Sequence, residues 1–317
     1  MYPSSALALL TWGGLSKFPM SRADRRYILL LLTPAAVFLL VFVAWPLLNL
    51  FRDSLYEVAL LKPGERAFVG LDNFQRALTS SRVAGAALRT LGYTAIALSA
   101  EFALGFIAAL LFNSLGRRSE LLRTIFLFPL MIPPIVAGLL WRFLLIDNFG
   151  IVNHILQQLG LLASTSDIAW LGDRDIVLFS VALPDIWLTT SFVTLVLYTG
   201  LQNIPLSLLE AARIDGAGAL QLFRYVTLPL LRPVIAVVLI IRGIDAARAF
   251  DIIWVQTEGG PRFASEVLSM HIYRTMIRYG DLGFASAIAT LFLLALLALS
   301  LLAFFVIWRP DATRGNA

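Results

Sequence analysis

Six apolar stretches, at about residues 27–51, 86–112, 121–146, 176–201, 233–256 and 282–308, constrain this chain more than any other feature. A helix rises 1.5 Å per residue, so about 20 apolar residues cross a hydrocarbon core about 30 Å thick. The stretches are continuous rather than alternating, which predicts helices and argues against the strands of a membrane barrel. Apolar residues make up 59% of the 317 residues and charged residues only 14%, where a soluble domain carries about 25% charged residues. Most of the surface must therefore face something other than water. The expected class is an all-α membrane protein with six transmembrane helices. The third and fifth stretches contain Arg or Asp and are the weakest of the six.

Basic residues at the ends of the stretches set the expected orientation. Lys17, Arg22, Arg25 and Arg26 precede the first; Arg117, Arg118 and Arg123 lie between the second and third; Arg213, Arg224 and Arg232 lie between the fourth and fifth; Arg309 and Arg314 follow the sixth. The alternate loops are richer in acid, with Asp53, Glu57, Glu65 and Asp72 in one and Asp147, Asp167, Asp173 and Asp175 in the next. This predicts both termini on the cytoplasmic side, together with the segment 205–233. The organisation expected is a cytoplasmic tail at 1–26, one membrane domain at 27–308 and a second cytoplasmic tail at 309–317. Residues 1–19 are expected to be poorly ordered, or to be an extension ahead of a start at Met20.

Several function classes are excluded by what the chain lacks. It has no cysteine and only two histidines, His154 and His271, so neither thiolate nor clustered imidazole metal sites are expected. Both histidines are expected in surface or interface roles. Neither Lys17 nor Lys62 follows a glycine, so no G-x-x-x-x-G-K-[ST] phosphate cradle exists and ATP chemistry must come from a partner. No pattern suggests acyl transfer. The net charge of +5 is mostly arginine at span ends, which suits an anionic leaflet and calls for no nucleic acid.

The segment 205–233 is too charged for lipid yet is patterned like folded structure. Pro205 suits a first helical turn, Ser207 and Glu210 have capping-box spacing, and Asp215-Gly216 is a stop and turn signal. A second helical stretch is expected over Ala217–Tyr225, with Leu228-Pro229 and Arg232-Pro233 leading into the fifth span. Two accounts fit. One is an interfacial helix with a cap and a Glu210–Arg213 pair; the other is a helix that presents Glu210 to a basic group on a cytosolic partner.

These residues favour the second account by resemblance. Glu210-Ala211-Ala212, Gly216 and Leu228-Pro229 resemble the EAA loop of binding-protein-dependent ABC importer permeases, the maltose/glycerol-3-phosphate class of sugar permeases in particular. Val69-Gly70-Leu71-Asp72-Asn73-Phe74, Gly150-Ile151-Val152-Asn153, Trp170-Leu171-Gly172, Asp185-Ile186-Trp187, Phe250-Asp251 and Thr257-Glu258-Gly259-Gly260-Pro261 follow the order seen in that family, so the likeness runs over about 27–308. The resemblance implies the type I importer permease fold in the bacterial inner membrane, with the loop acting as a coupling helix against an ATPase. Glu210 would be its ionic contact and Gly216 its turn; Ala211 and Ala212 would allow close approach, and Asp215 and Ala217 complete the D-G-A. It also implies the partners: two ATPase subunits carrying ATP and magnesium, a second and non-identical permease, and an extracytoplasmic solute-binding protein. This chain itself would hold no cofactor and would be no enzyme. The solute implied is a carbohydrate, a polyol or a sugar–glycerol compound.

Charges inside the stretches must face protein or water. Glu101 is expected to tie its helix to a neighbour, and Arg142 also falls in this group. Arg242, Asp245, Arg248 and Asp251 recur every third residue with alternating sign. They either neutralise one another as helix–helix glue or line the solute pathway, where Asp185 and the flat faces of Trp187, Tyr198 and Trp254 are further candidates. An ion-coupled secondary transporter is the competing class. It would show inverted repeats and paired broken helices, which the sequence does not display.

Overall fold

A computed structural model describes residues 22–307, so the expectations for 1–19 and for the tail at 309–317 lie outside the described residues. The chain divides at Arg52 into two compact units. The first holds α1 (Arg22–Leu39), a π-helical turn (Leu40–Ala44) and most of α2 (Trp45–Ser54). Its side chains are exposed and apolar, among them Leu31, Phe42 and Leu48. A surface this greasy needs lipid or another protein as its solvent.

The second unit opens with a hairpin, β1 (Tyr56–Ala59) and β2 (Lys62–Phe68), antiparallel with Tyr56 opposite Phe68. It is the one departure from an all-α architecture among the described residues. Two helices follow: α3 (Asp72–Thr79) and the 35-residue α4 (Ser81–Leu115), whose N-cap Ser80 accepts a hydrogen bond from the Val83 amide. Next come α5 (Glu120–Phe126), a 3₁₀ turn (Phe128–Met131) and α6 (Pro134–Leu144), then α7 (Ile151–Gln158) and α8 (Val177–Ser180). The 20-residue α9 (Leu183–Gln202) bends by 66° into α10 (Leu206–Ile214). The chain returns through α11 (Ala219–Leu222), a π-helical turn (Phe223–Thr227), α12 (Leu228–Ala247) and α13 (Asp251–Thr257), and ends with α14 (Leu268–Ile277) and α15 (Leu282–Ile307).

Four helical segments are long and apolar enough to cross a membrane: Leu30–Ser54, Ser81–Leu115, Ala219–Thr257 and Leu282–Ala303. The bent pair α9–α10 makes a fifth. These segments correspond to five of the six spans expected from the sequence. The stretch drawn at 121–146 is broken, leaving α6 with 11 residues, or about 16 Å. The cause is local. Pro129, Pro133 and Pro134 each lack an amide donor, and a proline drives the residue before it out of helical geometry; Ile132 and Pro133 accordingly have ψ of 129° and 137°.

Proline is absorbed differently elsewhere. Both π-helical turns end two residues before a proline, Ala44 before Pro46 and Thr227 before Pro229. The wider turn relieves the missing donor without ending the helix. For this reason the second half of the 205–233 segment is not a separate surface helix, as expected, but the first turns of the long helix that becomes α12.

The second unit packs around α4 and α9. Tyr93 and Ala97 of α4 meet Val177 and Val181 of the α8 segment, Ile186 of α9, Ile253 of α13 and Met270 of α14. Further along, Ala109, Val193, Leu197, Leu201 and Leu231 form a second buried cluster, against which Leu209 of α10 packs. In lipid, apolar side chains gain little from leaving the solvent, so close packing and small residues decide helix contacts. Gly138 illustrates this: a Cβ there would lie 3.0 Å from the Ile252 carbonyl oxygen and closer still to Val255.

Candidate docking helix and buried charge network

The helix α10 leaves the bundle directly from the end of α9. Its N-cap is Pro205, with ψ of 125°, and no side chain caps it. The expected Ser207–Glu210 capping box does not form, because the helix starts one residue after proline and Ser207 already lies inside its first turn. No Glu210–Arg213 ion pair forms either among the described residues, and Glu210 is exposed. The C-terminal end is closed by two backbone hydrogen bonds, from Gly216 N to Arg213 O at 3.0 Å and from Ala217 N to Ala212 O at 2.9 Å. That pair defines a Schellman motif. It requires a left-handed residue, and Gly216 has φ of +82°. Beyond the turn, Gln221 Oε1 accepts from Gly218 N at 2.9 Å and starts the next helix.

The motif residues thus divide by role. Ala212, Gly216 and Ala217 build the turn, while Glu210, Ala211 and Asp215 face outward. Leu209 holds the helix to the core. Ile214 and Leu220 flank the turn at 86% and 77% exposure, far more than an isolated helix end needs. An acidic residue beside two uncovered aliphatic side chains on a rigid turn can enter a cleft with a basic rim.

The charges inside the bundle form two groups. Arg242 of α12 donates from Nε to Glu101 Oε2 at 2.8 Å and from Nη2 to Glu101 Oε1 at 2.9 Å; Nη2 also reaches Asp185 Oδ1 at 3.3 Å. Tyr93 donates its hydroxyl to Asp185 Oδ2 at 3.1 Å. All four residues are buried, so α4, α9 and α12 are tied together by charge. Asp245 lies only 3.9 Å from Arg242 but pairs closely with Arg248 at 2.8 Å, and both members of that pair are exposed. Asp251 is not on the same helix, because the chain breaks between Ala247 and Asp251. No glycine or proline marks the break; Ser269 of α14 donates to the Ala249 carbonyl there at 2.6 Å.

The aromatic candidates scatter. Trp187 is 37% exposed and lies 6.3 Å from Trp141. Trp254 stacks on Phe250 at 5.4 Å, with Tyr273 edge-on to both. Tyr198 is on the other stretch of α9, and its hydroxyl accepts from Arg123 Nη1 at 2.6 Å.

Other family-like residues prove to be staples. Asn153 Nδ2 donates to the carbonyls of Asp147, Thr165 and Ile168 at 2.7–3.0 Å, and its Oδ1 accepts from Trp170 Nε1 at 2.6 Å. Asn73 Nδ2 holds the carbonyls of Ser54 and Tyr56. His271, expected in a surface or interface role, is buried with its Nδ1 2.8 Å from Glu266 Oε1, and Glu266 also takes Arg274 at 3.1 Å and Arg82 at 3.4 Å. Burial pushes the Glu266 carboxyl up. The His271 hydrogen bond and the Arg274 and Arg82 charges outweigh burial and hold it below the usual glutamate value of 4.5. Nothing in the spacing of Glu266, His271 and Arg274 marked this cluster, since Arg82 arrives from a distant helix. No group of three metal-ligating side chains occurs among the described residues.

Comparison with known proteins places this geometry. The profile of the family described as binding-protein-dependent transport system inner membrane component matches residues 101–311. The chain is 38% identical over 276 residues to the trehalose/maltose transport system permease protein MalF of Thermococcus litoralis, covering 87% of this chain and 91% of that one. It is 34% identical over 266 residues to the sulfoquinovosyl glycerol transport system permease protein SmoG of Agrobacterium fabrum, covering 84% and 85%. Among solved structures, a bacterial ABC transporter involved in import of the acidic polysaccharide alginate superposes with a TM-score of 0.77 at 23% identity, covering 91% of this chain and 97% of that one. The alginate transporter in complex with an alginate pentasaccharide-bound periplasmic protein gives 0.73 at 25% identity, covering 88% and 93%.

Proposed function

The chain belongs to the binding-protein-dependent transport system inner membrane component family, and from that premise we propose how its parts carry a carbohydrate across the membrane. As a multi-pass permease it is a transport subunit of an ABC importer rather than an enzyme, and ATP hydrolysis belongs to a separate subunit. Relatives named for trehalose/maltose, sulfoquinovosyl glycerol and alginate support a carbohydrate or sugar–glycerol cargo.

The observation that carries the mechanism is α10: a short helix locked by a Schellman turn, with Glu210 unpaired and Ile214 and Leu220 uncovered. In our reading this helix enters a cleft of the ATPase, which binds ATP and magnesium, and Glu210 meets a basic group there. Both termini lie on that same cytoplasmic side, as the arginine bias indicates. Closure of the ATPase pair displaces α10 and, through its junction with α9, shifts the bundle between outward and inward packing. A second, non-identical permease completes the pathway, and a periplasmic solute-binding protein delivers the cargo.

The exposed pair Asp245–Arg248, with Asp251 and Trp187, is our candidate for the pathway lining: fixed charges and a flat ring suit hydroxyl-rich rings. The buried Arg242 and Asp185 sit behind it as structure.

The test is Glu210→Lys in the reconstituted importer. Assembly should persist while solute-stimulated ATP hydrolysis falls to the unstimulated rate. Normal stimulation in the assembled variant would end the assignment of α10.

A further inference from the structure

We propose that Arg123 and Tyr198 form the positioning link through which movement of α10 reaches one half of the broken third span. This rests on the reading of α10 as the docking helix.

The two halves of that span are held by different polar contacts. The α5 half belongs to α9: Arg123 Nη1 donates to the Tyr198 hydroxyl at 2.6 Å, the guanidinium lies 4.7 Å from the Tyr198 ring centroid, and Ser191 Oγ donates to the Phe126 carbonyl at 2.6 Å. The α6 half is fastened to α13, where Arg142 Nη1 donates to the Val255 carbonyl at 3.0 Å and Gly138 brings the α6 backbone against Ile252, and it also touches α9, where Trp141 lies 6.3 Å from Trp187. Between them lie Leu127–Pro133, where the α-helical ladder gives way to a 3₁₀ turn and Ile132 and Pro133 are extended. A joint of this kind absorbs rotation at a few backbone dihedrals.

Tyr198 sits in the last turn and a half of α9, immediately before the bend into α10. Displacing α10 therefore moves Tyr198 first. The hydroxyl and ring grip Arg123 together, so α5 follows, while α6 is also held by α13 through Arg142 and Gly138. A cavity of about 290 Å³ beside Arg123, lined by Phe112, Leu127, Thr194 and Leu195, gives α5 room to shift. The α5 half would thus follow the docking helix more closely than the α6 half, which α13 also holds.

The experiment uses the complete importer in liposomes with loaded binding protein and reads solute imported per ATP hydrolysed. Arg123→Ala should lower that ratio about tenfold, the scale of one lost charge-assisted hydrogen bond, with assembly and unstimulated ATP hydrolysis unchanged. Arg123→Lys keeps a charge and a donor and should recover most of the ratio. Tyr198→Phe, which keeps the ring and loses the acceptor, should give an intermediate value and serves if Arg123→Ala does not assemble. An unchanged ratio overturns the link, and so does a loss of assembled complex at constant ratio, which is what a purely structural contact would give. Glu210→Lys measured alongside separates the two ideas: if it fails to uncouple, the docking reading falls, whereas if it uncouples and the Arg123 and Tyr198 variants do not, only the link falls.

Discussion

Arg242 and Glu101, 141 positions apart, meet edge to edge in a bidentate pair, with two hydrogen bonds of 2.8 and 2.9 Å inside the bundle. Neither the stripe on α12 nor the lone acid on α4 is self-sufficient; each supplies what the other lacks. Two buried carboxylates, Glu101 and Asp185, converge on one guanidinium, and the Tyr93 hydroxyl takes up a remaining lone pair.

Removing the cation should therefore be the most damaging change in the bundle. Arg242→Met strands two carboxylates out of water and should cost about 3–5 kcal/mol, the range for breaking a buried pair. The double variant Arg242→Met/Glu101→Gln should recover part of that loss. Denaturation of the detergent-solubilised protein checks both; equal losses in the single and double variants would contradict the pairing.

Gly216 offers a separate backbone test. No atom lies within 4 Å of a Cβ built there, so any penalty comes from φ of +82° alone. Gly216→Ala should weaken the Schellman turn by about 1 kcal/mol and Gly216→Asn by less, since asparagine tolerates the left-handed region. Faster hydrogen exchange at the Ala217 amide is the direct readout.

Asn153 spends its whole side chain on one loop. Asn153→Ala leaves three carbonyls and an indole N–H without a partner, costing about 1–3 kcal/mol, and should open residues 159–170 to protease. Asn153→Asp, which accepts but cannot donate, should behave no better.

Glu266 predicts a pH dependence whose sign follows from its lowered folded value. A depressed carboxyl contributes stability that is complete above the unfolded value of 4.5 and disappears as pH falls through the lower folded value. Glu266→Gln should thus be less stable than the parent at pH 7, and the gap should narrow below about pH 4.5. A gap that widens on acidification would contradict the cluster.

The exposed Asp245–Arg248 pair should behave in the opposite way to the buried one. Exposed ion pairs contribute about 0–1 kcal/mol, so Arg248→Ala should leave the melting transition nearly unmoved. If the pair lines the pathway, the half-saturating concentration of loaded binding protein should hold while the maximal import rate falls.

Taken by itself, the sequence determined the class of solvent, the helical content and the place of the short helix α10 and its turn. Those depend on runs of neighbouring residues: apolar length against bilayer thickness, Asp215-Gly216 as a stop, Glu210 in a charged interval. It could not decide which runs stay unbroken. Pro129, Pro133 and Pro134 end the third span, whereas a π-turn precedes Pro229 and the helix runs on through Pro233. Nor could it pair Glu101 with Arg242, Arg123 with Tyr198, or Arg82 with Glu266, because such contacts join residues 75 to 184 positions apart. Local patterns fix what a segment is. Only the three-dimensional packing of α4, α9 and α12 decides which buried charge finds its counter-ion, since in a medium without water the electrostatics are settled by whatever neighbour the fold delivers.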